Sequence, residues 1–468
     1  MENTFELYAR EQEHLEKEKK EHPELFVQAD RSDSLESLVR IGVDLPLGKL
    51  PRGYIKFTPT DFIVEEIDSE NAIRNVDFHP PSFEGLDSTS PTMYADLVKV
   101  GISTVDATKN LASALGVEEK NIGSAGIKDA YALTSQKISI RGVKLDALQN
   151  LEVPSLFLKN ISSGKGAIQT GNLWGNRFTI FVRTEHDIAR EDLSSALEQA
   201  QKNGVWNFFW FQRFGNRLLS HWWGLLLFQG NYRDTIQSYL CDPGPRELPY
   251  FYQLRTKAKE LLGNWHALKG LFSAVPYSFR YEISLIEYLE KNQGDYVGAL
   301  SSMPEQVKLW MYAYSSFLFN RTLSSYASHN SAPPETLPLV LSMDASDRAL
   351  YKDFLDVDEV PNQFEKNLRA FPFVRLMHRM VDTKFYPVIH GYKTIPEGVV
   401  LSFDLTKGSY ATTFLSHFFA LTEGMPIPSW VKRTEYDTKE LLGTGSLKET
   451  KERLQKYIIE RSEREDGE

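Results

Sequence analysis

The sequence has one cysteine, Cys241, among its 468 residues. A single cysteine cannot form an internal disulfide, and it excludes a zinc site made of a cysteine cluster. We therefore expect a protein of a reducing, intracellular compartment. The first residues also lack a basic segment followed by an apolar core, so no secretory signal is expected.

Long hydrophobic runs are missing too. No stretch approaches the ~20 apolar residues of a transmembrane helix, so we expect no contact with a membrane. Hydrophobic residues make up 41% of the chain and charged residues 25%, which is ordinary for a globular protein. The length is about three times that of a ~150-residue domain and predicts two domains with extensions.

Cofactor motifs are also absent. The sequence contains no Gly-x-Gly-x-x-Gly, no Walker-type loop and no His-Glu-x-x-His. Its ten histidines show no spacing typical of a metal site. We therefore expect neither a nucleotide cofactor nor a metal.

Positive charge is not in excess, because 53 lysines and arginines face 63 aspartates and glutamates, and the formal net charge is -10. Taken as a whole, this charge argues against a polyanionic partner. However, the acidic excess is concentrated at the chain ends, and binding depends on a local basic surface. A nucleic-acid partner therefore stays open.

What the sequence does contain is a mixture of strands and helices. Residues 93–100 predict a strand, and Ser103–Leu115 predicts a helix that Gly116 can close. Short β-rich segments flank the Thr58-Pro59 turn and predict two strands at a sheet edge. Residues 1–30 predict a solvated charged helix or a partly disordered arm. Since regular βαβ alternation is absent, we expect an α+β fold with a mainly antiparallel sheet.

Residues 126–136, GIKDAYALTSQ, are the most informative stretch. They precede the alternating run 137–140, which predicts a half-buried strand. Asp129 would therefore lie in a loop just before a strand, where a scaffold can hold one side chain out into a cleft. An Asp in a glycine-containing loop is usually a turn former, so Asp129 alone does not identify a site.

The whole stretch resembles Gly-x-Lys-Asp-x-x-Ala-x-Thr-x-Gln, the signature of the TruD family of RNA pseudouridine synthases. In that family the Asp of the motif is the catalytic nucleophile, so the resemblance implies this role for Asp129. It also implies that Lys128 and Gln136 take part in substrate binding.

A second stretch repeats the resemblance. Lys56 followed by Asp61-Phe62-x-Val64-x-Glu66 is similar to the N-terminal pattern of the family. The resemblance places Lys56 beside Asp129 as its ion-pair partner, and a nearby cation keeps a carboxylate charged in a water-poor pocket. Considered alone, Lys56 is typical of a solvated lysine on an edge strand.

A third stretch, residues 207–215 (NFFWFQRFG), holds five aromatic residues, of which we expect three or four in the core. It is similar to the family's Asn-x-Phe-Gly-x-Gln-Arg-Phe-Gly. The resemblance implies that Phe209 faces the target base, Asn207 supports the catalytic loop and Arg213 binds substrate. Trp210 stands where the family usually has Gly, and a bulky residue there could narrow the pocket.

Two shorter stretches complete the match. Gly175-Asn176-x-Phe178 is similar to a Gly-Asn-x-Phe strand of the family. Phe403-Asp404-Leu405 opens the closing motif, with Thr406 in place of the usual Pro.

The resemblance implies a pseudouridine-synthase-like catalytic domain with a mainly antiparallel mixed sheet, interrupted by an α-rich α/β insertion domain. The segments we predict are a charged N-terminal extension (1–45), the first part of the catalytic domain (46–232), the insertion domain (233–380), the second part of the catalytic domain (381–447) and a charged C-terminal helix or tail (448–468).

The activity implied is isomerisation of a tRNA uridine, usually U13 in this family, to pseudouridine without a cofactor. Whether the carboxylate attacks the base or the sugar stays open. The implied partner is RNA, above all tRNA, and not DNA, and we expect a cytoplasmic monomer, or a nuclear one in a eukaryote. Basic side chains near the motifs would contact the RNA backbone, namely Arg141, Lys144, Lys159, Lys165, Arg177, Arg213 and Arg217.

Three alternatives stay open. The first is a catalytically inactive RNA-binding member of the same fold, since fold alone does not fix activity. The second is a different RNA enzyme such as a methyltransferase, which the missing glycine-rich cofactor loop disfavours. The third is an interaction scaffold built on the helical middle region, for which the sequence offers only generic amphipathic helices.

Overall fold

The structure, a computed structural model, describes residues 4–27, 34–45, 50–341, 344–375, 378–424 and 427–459. These residues divide between two compact units. The sheet unit comprises the described residues within 49–205 and 385–462. The helical unit comprises those within 1–48 and 206–384, so its larger part lies in the chain between the two segments of the sheet unit.

The strands in chain order are β1 (Arg52–Tyr54), β2 (Phe62–Asp68), β3 (Thr92–Val100), β4 (Ile122–Ser124), β5 (Leu133–Arg141), β6 (Leu156–Gly164), β7 (Leu173–Thr184), β8 (Val205–Trp206), β9 (Thr336–Pro338), β10 (Met380–Asp382), β11 (Lys384–Phe385), β12 (Val388–Ile395), β13 (Gly398–Thr406) and β14 (Ala420–Thr422).

The α-helices in chain order are α1 (Thr4–Glu21), α2 (Leu35–Arg40), α3 (Thr104–Leu115), α4 (Leu145–Gln149), α5 (Arg190–Asn203), α6 (Ser220–Gln229), α7 (Tyr232–Cys241), α8 (Pro249–Glu260), α9 (Trp265–Phe272), α10 (Arg280–Lys291), α11 (Tyr296–Ser301), α12 (Pro304–Ser328), α13 (Ala345–Leu350), α14 (Lys352–Val357), α15 (Glu365–Leu368), α16 (Ala411–Leu415), α17 (Thr438–Leu442) and α18 (Lys448–Leu454).

The described part of the sheet unit is built on one ten-stranded sheet with the main order β12-β13-β7-β2-β5-β3-β6. Strand β1 pairs with β14 and β7, and β4 pairs with β5. The β1–β14 and β2–β5 pairs are parallel, whereas the remaining pairs of this sheet are antiparallel. The prediction of an α+β fold with a mainly antiparallel mixed sheet is therefore confirmed.

Helix α3 follows the pattern of its sequence. The Ser103 hydroxyl accepts a hydrogen bond from the Asp106 N–H, and Gly116 ends the helix in the left-handed conformation at φ 66°. The apolar side chains of α3, Leu111 among them, join β5 residues such as Ile138 in one buried cluster. This packing fixes the start of α3 next to the loop that enters β5.

The prediction of two strands at a sheet edge is wrong for β2. This strand lies between β7 and β5, and all seven of its residues are buried. The Thr-Pro turn begins a short 3-10 helix, Pro59–Asp61, that leads into the middle of the sheet. The acidic side chains of β2 are accommodated there because they meet cationic partners; Glu65, for example, pairs with Lys439 at 2.8 Å.

The core of the helical unit is rich in aromatic side chains and is centred on α12. Gly224 of α6 allows a close approach, because a Cβ on it would lie 2.1 Å from the Trp310 carbonyl oxygen. The prediction of a solvated or partly disordered arm at residues 1–30 is wrong for α1. Its Glu11 is buried and accepts hydrogen bonds from the N–H groups of Tyr277 and Ser278 at 2.7 and 2.9 Å. Within the described residues, no helix combines the length and apolarity needed to cross a membrane.

Candidate active site

The Asp129 loop joins β4 to β5, and two buried polar side chains, Gln136 and Thr104, form hydrogen bonds with its backbone. The Gln136 amide donates to the Gly126 carbonyl at 3.1 Å. The Thr104 hydroxyl, at the start of α3, accepts from the Lys128 N–H at 2.9 Å and lies 3.3 Å from Gln136 Oε1. Gln136 is fully buried, and its side chain supports the backbone of the Asp129 loop.

Lys56 and Asp129 are brought together by the structure. Lys56 Nζ donates to Asp129 Oδ1 at 3.1 Å. The Asp129 side chain is 35% exposed, whereas that of Lys56 is 6% exposed. The carboxylate can therefore be reached from outside, while its cation is held in the protein.

Lys56 is fixed by its surroundings rather than free to move. Its backbone has φ 58°, a left-handed conformation that costs a non-glycine residue about 1 kcal/mol or more. Its Nζ lies 4.6 Å from the ring centroid of Phe62. The 3-10 turn that follows is anchored by Asp61, whose carboxylate receives two hydrogen bonds from the buried Arg183 guanidinium at 2.9 and 3.1 Å. The motif's Asp61 thus holds the segment that presents Lys56.

Lys99, which the sequence analysis missed, is a second cation at the loop. It is fully buried in β3, and its Nζ donates to the backbone carbonyls of Asp129 at 2.8 Å and Ile102 at 2.7 Å. Burial lowers the pKa of Lys99 to about 8, although the Asp129 charge acts in the opposite direction. A lysine inside an apolar strand segment, here Leu97-Val98-Lys99-Val100, is the signal that could have identified it.

Glu423 was also missed and places a second carboxylate beside Lys56. It directly follows β14, whose parallel pairing with β1 sets Thr422 opposite Tyr54. Glu423 Oε2 lies 3.4 Å from Lys56 Nζ, so Lys56 is shared by two acids. No motif of the sequence marks this residue, because its proximity to Lys56 depends on a strand pair between distant parts of the chain.

The charge state of Asp129 follows from these neighbours. Burial acts to raise the pKa of the carboxyl, but the charge of Lys56, its hydrogen bond and the charge of Lys99 outweigh burial and hold the pKa below its usual value. The carboxylate is therefore ionised at neutral pH. A nucleophile or a general base requires this state.

Lys128 occupies a different place from its sequence neighbour. Its buried Nζ contacts Glu66 Oε2 at 2.9 Å and Asn176 Oδ1 at 2.6 Å, two residues that face each other across β2 and β7. Position 175, just before Asn176, requires glycine, because a Cβ there would lie 2.0 Å from the Leu405 carbonyl oxygen. The Gly-Asn-x-Phe stretch thus supplies a close strand contact and a partner for Lys128.

Asn207, Phe209 and Arg213 lie in the helical unit. The Asn207 amide donates to the Asp382 carbonyl at 2.9 Å. Phe209 is buried and meets Phe319 edge to face at 5.4 Å between ring centroids. The Arg213 guanidinium lies 5.1 Å from the ring centroid of Phe209.

The backbone of Phe209 is fixed on both sides by Asn320, which accepts from its N–H at 2.9 Å and donates to its carbonyl at 2.8 Å. Trp210 is buried in the same apolar cluster as Phe209 and contacts Phe211 at 5.7 Å. The residue that departs from the family pattern therefore fills a core position.

Two of the basic residues assigned to contact with the RNA backbone are buried, and for Lys159 the assignment is wrong. Lys159 is fully buried and donates to the Asp77 carbonyl at 2.6 Å. Arg217 is buried and donates to the Tyr239 carbonyl at 2.8 Å. Both cationic groups bind backbone carbonyls of the protein itself, and the Lys159 ammonium cannot reach a phosphate.

Comparison with known proteins gives a consistent result. A family model described as tRNA pseudouridine synthase D (TruD) matches residues 51–338. A probable tRNA pseudouridine synthase D 1 from Methanocaldococcus jannaschii is 29% identical over 78% of this chain and 95% of its own length.

A probable tRNA pseudouridine synthase D from Archaeoglobus fulgidus is 31% identical over 61% of this chain and 65% of its own length. Among solved structures, a putative tRNA pseudouridine synthase D from Methanosarcina mazei matches 83% of this chain and 98% of its own, with a TM-score of 0.63 and 22% identity. The structural likeness supports the fold.

Proposed function

Because this chain belongs to the TruD family of tRNA pseudouridine synthases, we propose that it isomerises a uridine of tRNA, at U13, to pseudouridine with Asp129 as the nucleophile. The observation that carries the proposal is the ionised Asp129 carboxylate, partly exposed and held 3.1 Å from the buried Lys56 ammonium. A carboxylate of this kind is suited to covalent or acid–base chemistry on a bound nucleotide.

The chemistry needs little beyond this pair. In the reaction the bond between N1 of uracil and C1′ of ribose breaks, a bond between C5 and C1′ forms, and the C5 proton is replaced by one on N1. The composition of the nucleoside is unchanged, so neither an oxidant nor a group donor is consumed. Attack of Asp129 on the base and attack on the sugar are both compatible with this balance.

Lys56 and Lys99 have separate parts in the proposed mechanism. Lys56 keeps Asp129 ionised when the substrate displaces water, which would otherwise favour the neutral acid. Lys99 binds the backbone carbonyl of Asp129 and holds the loop in position. Lys128 and Gln136, proposed for substrate binding, would act through the same loop, since both are buried and Gln136 bonds its backbone.

The target uridine has to leave its stack, at a cost of a few kcal/mol. We assign its stacking partner to Phe209, because an aromatic face returns ~1–3 kcal/mol per base, and assign supporting contacts to Asn207 and Arg213. The contact of Phe209 with Phe319 supports a competing role in packing, and Phe209→Leu separates that role from stacking.

The test is to incubate the purified protein with a uridine-labelled tRNA transcript, digest the RNA and separate the nucleosides, with Asp129→Asn in parallel. Pseudouridine from the wild type alone supports both activity and nucleophile. Formation of pseudouridine by both proteins would reject Asp129 as the nucleophile. Wild-type binding of tRNA and of total cellular RNA without any pseudouridine would favour the inactive RNA-binding member of the fold.

A further inference from the structure

The helical unit encloses a cavity of about 320 Å³, separate from the residues discussed for catalysis. Its inner wall is aromatic. Trp223 and Trp310 are almost fully buried, meet at 5.2 Å between ring centroids and both line the cavity. The volume is at the lower end of the ~300–1,000 Å³ range of small-molecule pockets, which suits one planar ligand of nucleotide size.

The cavity carries an excess of positive charge in a protein whose net charge is negative. Four arginines and two glutamates line it, which leaves two positive charges in excess. Both carboxylates contact the buried Arg255, Glu247 at 2.7 Å and Glu282 at 2.9 Å. The acids are thus used to hold the inner guanidinium groups, and they are not placed at the mouth.

Arg217 supplies a fixed cation at the inner wall. It is buried, and its guanidinium lies 4.3 Å from the ring centroid of Trp223. Burial and the neighbouring Arg255 lower the pKa of Arg217 to about 10, so it stays charged at neutral pH. Arg217 is thus a buried cation beside an aromatic surface, with the Glu282 carboxylate 3.8 Å away.

The mouth combines cations with aromatic rings. Arg280 is exposed, and its guanidinium lies 4.9 Å from the ring centroid of Tyr281, which is 40% exposed. Arg246 lies 3.8 Å from the ring centroid of Phe211. Gly215, the last residue of the NFFWFQRFG stretch, is part of the wall and has φ 72°, so this stretch also shapes the cavity.

We propose that this cavity binds one nucleotide of the RNA substrate, with the base stacked on the exposed ring of Tyr281 and a phosphate beside Arg246 and Arg280. Stacking platforms next to cationic side chains are the usual means of holding an unpaired nucleotide. The proposal rests on the proposed function for the nature of the ligand. It adds a second point of RNA contact, distinct from the uridine that reacts.

The experiment measures tRNA binding by the full chain over a series of salt concentrations, with Arg280→Gln and Tyr281→Ala as the test variants. Arg233→Gln is the matched control, because Arg233 is an exposed arginine of the helical unit that does not line the cavity. All changes are at exposed positions, and thermal melting checks that each variant is folded.

We expect Tyr281→Ala to weaken tRNA binding by roughly fivefold or more through lost stacking. Arg280→Gln should weaken it and reduce the slope of log affinity against log salt by about 1. Binding by both test variants equal to that of Arg233→Gln would overturn the proposal.

Competition distinguishes the nucleotide from its phosphate alone. Uridine monophosphate should displace tRNA from the wild type more effectively than inorganic phosphate at the same concentration, and it should lose this advantage in Tyr281→Ala. Equal displacement by both compounds would reject a base-binding cavity. If the wild type forms no pseudouridine while these binding results hold, the proposed function fails and the cavity assignment stands.

Discussion

The motif stretches of the sheet unit and of the helical unit are built from different kinds of side chain. In the sheet unit, charged motif residues pair with one another, as Lys56 does with Asp129 and Lys128 with Glu66. In the helical unit, Asn207 binds a backbone carbonyl and Phe209 packs against another ring. A motif built of ion pairs thus sets the charge state of a carboxylate, whereas a motif built of aromatic and amide groups fixes packing and backbone position.

This difference leads to an expectation about kinetics. Changes in the charge pairs of the sheet unit should lower kcat, because they alter the protonation or position of Asp129. Changes in the helical unit should raise KM, because they alter RNA capture. Variants at Asp129, Lys56, Lys99 and Phe209 test that division.

Asp129→Asn should lower kcat at least about 10³-fold, because removal of a nucleophile removes the chemical step itself. The amide keeps the size of the side chain, so tRNA affinity and melting temperature should change little. Single-turnover rates and tRNA binding are measured together. A variant that lost binding as strongly as turnover would contradict the assignment of Asp129 to chemistry alone.

Lys56→Met should lower kcat by roughly 10²-fold at pH 7, since Asp129 loses the cation that keeps it ionised. Without that cation the pKa of Asp129 rises, so the acid limb of the pH–rate profile should move to higher pH. Methionine is no more strained than lysine at the positive φ of residue 56. Lys56→Arg is the charge-retaining control, and an unshifted acid limb in Lys56→Met would reject Lys56 as the partner of Asp129.

Titration of Lys99 should make activity and stability change in opposite directions as the pH rises. As the pH rises through about 8, Lys99 loses its proton and the Asp129 loop loses a charged donor, so kcat should fall by roughly tenfold. The pKa of Lys99 is lower in the folded state than in the unfolded state. Between these two pKa values the unfolded state binds more protons, so the free energy of unfolding increases as the pH rises.

Lys99→Arg keeps its charge at these pH values and should lack the alkaline fall. Activity and the free energy of unfolding are measured from pH 7 to 10 in both proteins. A parallel fall of activity and stability in the wild type, matched in Lys99→Arg, would assign the alkaline limb to general unfolding.

Phe209→Ala should have the smallest effect on kcat, and it tests the helical unit. If Phe209 stacks on the target base, KM rises by roughly fivefold or more, and Phe209→Leu, which keeps apolar volume, shows nearly the same loss. If the ring only fills the core, Phe209→Ala costs about 3–5 kcal/mol of stability and Phe209→Leu restores both stability and KM. Melting temperature and KM are therefore measured for both variants.

The sequence predicted the architecture better than the interior of the site. Polar–apolar alternation and capping residues were sufficient for α3 and β5, because these signals are local. The approach of Lys56 to Asp129 followed from the family resemblance, since periodicity alone would have left Lys56 on an exposed edge. Periodicity fails here because β2 buries acidic side chains, and a pattern of charged residues predicts an exposed strand face.

Lys99 and Glu423 illustrate what local patterns miss. The contact of Lys99 with the Asp129 carbonyl depends on the register of β3 against β5, which sets Lys99 opposite Thr134. The contact of Glu423 with Lys56 depends on a parallel pair of short strands from distant parts of the chain. Neither pairing is encoded by residues near either partner.

The parallel pair of β1 and β14 also has a consequence for synthesis. At translation rates of roughly 5–20 residues per second, β1 leaves the ribosome tens of seconds before β14 exists. For most of that interval Asp129 and Lys56 are already made, but the strand that brings Glu423 to Lys56 is not. The nascent chain therefore carries the Asp129 carboxylate long before β14 can pair with β1 and Glu423 can reach Lys56.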